Sequence, residues 1–315
     1  MDTASRRPSD KDPSSIVHRP SSIHYAPAKL NVRLKVTGRR PDGYHELVSI
    51  MVPVGLYDRL DLQTTSDKRI KISCRGFSAP ANEENLACRA ARAFFGKTGM
   101  NDGLFISLTK NIPVSAGLGG GSSDAACVLK ALNQSHALPL TPEELAELAL
   151  GLGADVPFFL VERPCIARGI GEVLEPIENW PELWYIIVMP PIQVSTSWVY
   201  GSLDLSPASS ELELTNGAYE DILQHLNRKP LLIERMLEND LERITAARFP
   251  VIERIKHLLT EAGADGALMS GSGPSVFGVF QSKDKALRVK EALVNSSPGD
   301  IFLVQGLTGS LASNI

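Results

Sequence analysis

Cysteine, aromatic residues, charge of one sign and long apolar runs are all scarce in this chain, and each shortage closes off a class of protein. The four cysteines, Cys74, Cys88, Cys127 and Cys165, stand far apart. Their spacing matches neither the CxxC pairs of a zinc site nor the dense pattern of a small disulfide scaffold. They are expected to be reduced, mostly buried thiols. No His and Cys cluster has metal-ligand spacing, which argues against a structural metal. Aromatics make up 6% of the residues and the formal net charge is −4, with a pI near 5.9. With no Lys and Arg run interleaved with aromatics, the footprint of a nucleic-acid binder is missing. No stretch of about 18 apolar residues is available to span a membrane.

Met1 to Ser22 is rich in Ser, Pro and charge and holds no apolar run of signal-peptide length. Residues 1–22 are therefore expected to form a disordered tail and the protein to be cytoplasmic. Asp2, Asp10 and Asp12 oppose reading the tail as an organelle transit peptide, which is poor in acidic residues.

What is present is an ordinary globular composition, 43% apolar and 22% charged over 315 residues, long enough for two domains. From Leu30 to Val36 apolar residues alternate with Asn31, Arg33 and Lys35, the period of a half-buried strand. It ends at Thr37-Gly38 and is followed by a turn at Arg40-Pro41-Asp42-Gly43. Further alternation at 59–62, 69–74 and 104–108 makes the first third strand-rich. Leu86, Ala90, Ala93 and Phe94 keep helical spacing, with a stop expected between Gly96 and Gly99. Thr141-Pro142-Glu143-Glu144 reads as a helix start with a capping box. The texture changes near Asn179 to Leu183, which places a domain boundary there and predicts domains over 23–181 and 182–315. The second half predicts helices over 231–241, 251–262 and 283–294 with strands at 267–269, 276–280 and 301–304. That is an α+β layer rather than a bundle.

The most informative stretch is PVSAGLGGGSSDAA, Pro113 to Ala126, between a strand ending near Thr109 and an apolar run over 125–132 that reads as a helix. Consecutive glycines let backbone N–H groups approach a ligand closely. Ser122, Ser123 and Asp124 then stand where the helix begins, an end that carries free N–H donors and partial positive charge. Strand, glycine loop, hydroxyl pair and helix in this order make an anion site suited to nucleotide phosphates. It is not a Walker A, because no Lys follows the last Gly, and it lacks the spacing of a dinucleotide fingerprint.

The loop resembles the phosphate-binding motif of the GHMP kinase family. Four other segments match the same family in the same order: Ala26-Pro27-Ala28-Lys29-Leu30-Asn31, Asp42-Gly43-Tyr44-His45, Leu152-Gly153-Ala154-Asp155-Val156-Pro157 and Ser270-Gly271-Ser272-Gly273-Pro274-Ser275. One departure is Ser115, where the resembling branch has glycine. The resemblance implies an α+β, two-domain fold with an N-terminal ribosomal-protein-like α/β domain and a C-terminal ferredoxin-like α+β domain. It implies an ATP-dependent small-molecule kinase of isoprenoid-precursor biosynthesis whose partner is a cytidine-diphosphate sugar alcohol. No nucleic acid or membrane partner is expected, and the chain is expected to be a monomer or weak homodimer.

Residue by residue, the resemblance places Lys29 and Asp155 at the reacting centre. ATP would be held by Pro113, Val114, Ser115, Ala116, Gly117, Leu118, Gly119, Gly120, Gly121, Ser122 and Ser123, with Ser123 the hydroxyl nearest a Mg²⁺ ion (Mg2+). Asn31, Tyr44, His45, Thr196 and Tyr200 would hold the acceptor, the aromatics stacking on its base. Phosphoryl transfer asks a protein chiefly for position and charge. A carboxylate facing a lysine is a weak base at neutral pH, so Asp155 is expected to orient the hydroxyl early and take its proton late. Two other readings share part of the pattern. A homoserine or mevalonate type of GHMP kinase leaves Asp42-Gly43-Tyr44-His45 idle, and a non-catalytic nucleotide-binding regulator leaves Lys29 and Asp155 idle.

Overall fold

The computed structural model describes residues 21–204, 226, 231–294 and 296–309. The expected tail lies outside them except for Ser21 and Ser22, and Ser22 opens the first strand. Among the described residues no helix is long and apolar enough to cross a membrane.

Two sheets stack between layers of helices, the two-domain α+β arrangement expected. The first sheet contains β1 (Ser22–Arg39), β2 (His45–Thr65), β3 (Ile70–Gly76), β4 (Gly103–Lys110), β5 (Cys165–Arg168), β6 (Val173–Pro176) and β8 (Glu238–Asn239). Its main path runs β3-β4-β2-β1-β8, with the β5–β6 hairpin attached to β2. Helices α1 (Leu86–Thr98), α2 (Gly120–Ser135) and α3 (Pro142–Leu152) bury Ala90, Phe94, Ala125 and Val128 against one face of it. The second sheet is antiparallel in the order β11-β7-β10-β9, built from β7 (Trp184–Met189), β9 (Gly266–Met269), β10 (Val276–Phe280) and β11 (Asp300–Gln305). Its outer face carries α7 (Val251–Glu261) and α8 (Lys283–Leu293), which bury Ile252, Ile255, Leu259 and Val289. A third core, including Leu30, Val52, Tyr185, Ile187 and Phe277, lies between the sheets.

Strand periodicity places the site. On β1, Ala28, Leu30 and Val32 enter the core between the sheets, so the intervening Lys29 and Asn31 project from the opposite face. The β1–β2 turn forms as its residues dictate. Gly43 takes φ +89°, and the Asp42 carboxylate accepts the Tyr44 N–H at 3.1 Å, which presents Tyr44 and His45 together. Helix α1 stops at Gly99 in the left-handed conformation, and α3 carries the complete capping box of Thr141 and Glu144.

One expected element is absent: 231–241 is not a helix. It holds a 3₁₀ turn at Ile233–Arg235 and then β8, which pairs in parallel with Arg33 and Leu34 of β1. Ile233 and Met236 are buried between the sheets, and the Asn239 side chain takes the N–H of Leu241 at 2.9 Å. Tertiary contacts thus override the helical period. Residues 181 and 182, where a boundary is expected, lie in the link between β6 and β7, and β8 crosses back into the first sheet.

Candidate active site

A cleft of about 950 Å³ opens where β1, the glycine loop, the start of α2 and Gly271 and Ser272 converge. The strand β4 ends at Lys110 and the chain turns through the loop into α2, which begins at Gly120, earlier than the Ser122 to Asp124 start read from the sequence. The first bond of the helix runs from Ser123 N–H to Gly119 O at 2.9 Å. The N–H groups of Gly120, Gly121 and Ser122 precede it and have no partner within the helix. All three residues line the cleft.

Gly117 cannot be replaced by a larger residue in this geometry. It adopts φ +77°, and a Cβ there would lie 2.1 Å from the Ser270 carbonyl oxygen. Ser115 also takes a positive φ, +56°. That is the left-handed region in which glycine alone is unstrained, and it gives a backbone reason for the glycine found there in the resembling branch.

The loop is stitched to both sheets. Lys29 N–H donates to Leu118 O at 2.9 Å, and Ser275 N–H donates to Ala116 O at 3.3 Å. The buried Ser270 Oγ donates to Gly117 O at 3.0 Å and accepts from Asn31 N–H at 3.2 Å. Asn239 donates to both Met269 O and Gly271 O at 2.8 Å, so β8 fixes the start of the Ser270–Ser275 segment against β1.

Lys29 is buried and Asp155 reaches it from the turn after α3, Nζ to Oδ2 at 3.5 Å. Val156, Phe158 and Phe159 are buried behind Asp155 and anchor that turn. Lys29 Nζ also donates to Asn31 Oδ1. Asn31 in turn donates to Ser49 Oγ at 2.8 Å, and Ser49 Oγ donates to Arg33 O at 2.6 Å.

At the far end Tyr44 is exposed, and the His45 and Tyr200 rings lie 5.1 Å apart at a tilt of 36°. Those two rings therefore touch, leaving no base-sized slot between them, and Tyr44 is the aromatic face left open. Burial, and next the charge of Arg39, hold His45 below the usual imidazole range. Burial, with Asp155 adding to it, pushes the Tyr200 phenol well up. Thr196, on α5 (Thr196–Gly201), shares a hydroxyl contact of 2.9 Å with Ser272 across the cleft.

The residues expected at the site thus come together, with two exceptions in placement. Leu118 sends its side chain into the core between the sheets and offers the site only its backbone. Ser123 is 1% exposed and its Oγ has no hydrogen-bond partner. Because α2 starts at Gly120, Ser123 sits one turn before Cys127 on the inward face, so of the two adjacent serines it is Ser122 that lines the cleft.

Sequence reasoning missed the charges beneath the loop. Lys110 Nζ bonds Asp58 Oδ2, and Asp124 Oδ2 at 2.8 Å. Asp58 Oδ1 takes the N–H of Asn111 at 2.6 Å and of Ile112 at 2.9 Å. Burial opposes charge on Lys110, but Asp124 and Asp58 outweigh it and raise its affinity for the proton. Burial pushes the Asp124 carboxyl well up against the pull of Lys110. A signal was available, since Lys110 continues the inward positions Leu104, Ile106 and Leu108 of β4, and Asp58 continues Leu60 and Leu62 of β2.

With this geometry, comparison with known proteins is informative. The sequence profile of the GHMP kinase N-terminal domain matches residues 85–163, and that of the GHMP kinase C-terminal domain matches residues 220–298. A protein of Syntrophotalea carbinolica named 4-diphosphocytidyl-2-C-methyl-D-erythritol kinase is 45% identical over 282 residues, 89% of this chain and 97% of that protein. One of the same name from Geobacter metallireducens is 45% identical over 90% of this chain and 97% of its own length. A crystal structure of 4-(cytidine 5'-diphospho)-2C-methyl-D-erythritol kinase superimposes with a TM-score of 0.76 at 38% identity, covering 91% of this chain and all of the other. Homoserine kinase from Cytophaga hutchinsonii, at 20% identity and a TM-score of 0.74, shares the fold. The ordered motifs, the two stacked sheets and these relatives lead to one assignment: the chain belongs to the GHMP kinase family.

Proposed function

We propose that the protein transfers the γ-phosphate of ATP to the 2-hydroxyl of 4-diphosphocytidyl-2-C-methyl-D-erythritol, giving the 2-phosphate and ADP, a step of the non-mevalonate route to isoprenoid precursors. One observation carries this reading: the Lys29–Asp155 pair lines the same cleft as an anion-binding helix start and an exposed aromatic, Tyr44. The triphosphate would lie along the N–H groups of Gly120, Gly121 and Ser122, where the helix dipole favours negative charge. The acceptor would lie toward Tyr44, with its hydroxyl between Asp155 and the γ-phosphate.

In the reaction the acceptor oxygen forms a bond to the γ-phosphorus as the bond from phosphorus to the ADP oxygen breaks, and the hydroxyl proton passes to Asp155. Lys29 holds the Asp155 carboxylate and offsets charge on the transferring group. Asn31 and Ser49 fix the Lys29 ammonium in that position. Because phosphoryl transfer makes little demand for covalent help, placement of the hydroxyl is the main task of Asp155.

Mg²⁺ suits this cleft as a companion of the triphosphate. Among the described residues no three His, Cys, Asp or Glu side chains are grouped to hold an ion. Mg²⁺ usually keeps several waters and binds through one or two carboxylates plus phosphates. Asp155, whose side chain is 39% exposed on the cleft, is the carboxylate that would hold it, whereas Ser123 Oγ is sealed behind the loop. When bound, the ion neutralises the β- and γ-phosphates.

The test is ADP release from ATP and Mg²⁺ with diphosphocytidyl-methylerythritol as acceptor, beside homoserine, mevalonate and no acceptor. Turnover that depends on the cytidine compound is the expected result. Turnover with another alcohol alone keeps the kinase and removes the acceptor assignment.

A further inference from the structure

We infer that Arg39 binds the diphosphate of the acceptor and is a specificity-determining residue of the cleft; this rests on the acceptor assigned above. Among the described residues three Lys or Arg side chains line the cleft: Lys29, Lys110 and Arg39. Lys29 is engaged by Asp155 and Asn31, and Lys110 by Asp58 and Asp124. Arg39 has no carboxylate within ion-pair distance among the described residues. Its neighbour Arg40, by contrast, is held by Asp42 at 3.1 Å and Glu46 at 3.2 Å. Among the described residues the cleft thus keeps one cation, Arg39, in reserve.

Its position fits the acceptor's chemistry. Arg39 ends β1 directly across from His45 in the β1–β2 register, and after burial its charge is the second cause that holds that imidazole below its usual range. It therefore stands at the aromatic end, where the base would stack. A diphosphate joined to cytidine must run from that end toward the reacting hydroxyl at Lys29 and Asp155. The cleft also carries the carboxylates of Glu84 and Asp155, so a doubly charged linker entering it needs a cation that is not already paired. The planar guanidinium fork matches two phosphate oxygens at once, which a lysine does not. Arg39 is exposed, so replacing it removes no core contact.

The experiment measures binding of cytidine and of cytidine diphosphate by calorimetry to wild-type protein and to Arg39→Gln, with the phosphate loop filled by Mg²⁺ and a non-hydrolysable ATP analogue. Wild type is expected to bind the diphosphate more tightly than cytidine. Arg39→Gln is expected to lose about tenfold or more of that preference while binding cytidine unchanged, the scale of a charge-assisted hydrogen bond. In turnover, acceptor KM should rise about tenfold with kcat and the KM for ATP within about twofold, and Arg39→Lys should recover part of the loss. Equal diphosphate binding by the two proteins overturns the inference, as does a parallel loss of cytidine, or wild type that binds no diphosphate. Wild type that shows the Arg39-dependent binding yet phosphorylates nothing leaves Arg39 standing and removes the proposed reaction instead.

Discussion

Two buried lysines among the described residues, Lys29 and Lys110, face carboxylates, and the two arrangements serve different ends. Lys29 meets Asp155 at 3.5 Å, and the Asp155 side chain is 39% exposed to the cleft. Lys110 lies between Asp58 and Asp124, which are 0% and 2% exposed. The remaining oxygen of Asp58 is taken up by two backbone N–H groups that begin the glycine loop. A charge sealed from water and held by several partners is a fixed post, because losing any one partner leaves the others unmatched in a low-dielectric interior. A longer contact at the edge of a cleft leaves a carboxylate free to take a new partner. The same side-chain types thus anchor the loop in one place and are available for chemistry in the other; both lysines are buried, and the exposure of the carboxylate makes the difference.

The largest expected effect tests the sealed cluster. Lys110→Met leaves two buried carboxylates without their cation, at a cost of about 3–5 kcal/mol. Calorimetry should then show a fall in Tm on the order of 10 °C. An unchanged Tm would mean that the cluster carries no structural weight. Next is the open pair: Asp155→Asn should preserve Tm and ATP binding while lowering kcat by about 100-fold or more, roughly 2.7 kcal/mol on the barrier. A stability loss as large as that of Lys110→Met, with turnover intact, would invert the comparison.

A smaller effect extends the contrast to aromatic residues. Tyr185 is sealed in the core between the sheets, whereas Tyr44 is 58% exposed on the tip of the β1–β2 turn. Tyr44→Ala should therefore leave Tm unchanged and raise the acceptor KM about tenfold, the scale of one base-stacking contact, without altering the KM for ATP. Equal damage to both KM values would show that Tyr44 supports the cleft rather than the base.

The contrast also explains what could be read before the fold was known. Lys29, Asp155 and the glycine loop belong to short, ordered sequence motifs, because a site that approaches phosphate needs particular residues next to one another. The strands followed from period-2 alternation, and α3 from its capping box, since those signals act over a few residues. The sealed cluster was less legible, because Asp58, Lys110 and Asp124 come together only when β2, β4 and α2 are assembled. Its trace was two opposite charges in core-phase positions of strands that had not yet been paired. The segment 231–241 failed for the same reason: its apolar residues suit a helix, but contacts with β1 and the core between the sheets decide its shape. The helix start was set a few residues late, and with α2 beginning at Gly120 the Ser123 hydroxyl, expected nearest a Mg²⁺ ion, is buried while Ser122 lines the cleft.

The smallest effect lies in the loop itself, at the one position where this chain departs from the resembling branch. Ser115 holds φ +56° on the cleft surface. A left-handed conformation costs an L-residue roughly 1–2 kcal/mol, and glycine gives back about 0.5–1 kcal/mol of this through its greater freedom when unfolded. Ser115→Gly should therefore stabilise the protein by about 0.5–1 kcal/mol, a rise in Tm on the order of 2 °C. The effect on ATP then separates two roles for the hydroxyl. If the Ser115 side chain points away from the phosphates, the KM for ATP stays within about twofold of wild type. If it replaces a water on the triphosphate, the same variant gains stability and loses about fivefold or more in ATP affinity, near the value of one hydrogen bond to a charged group. A variant that loses stability would show instead that the loop holds Ser115 by contacts strong enough to outweigh its backbone strain.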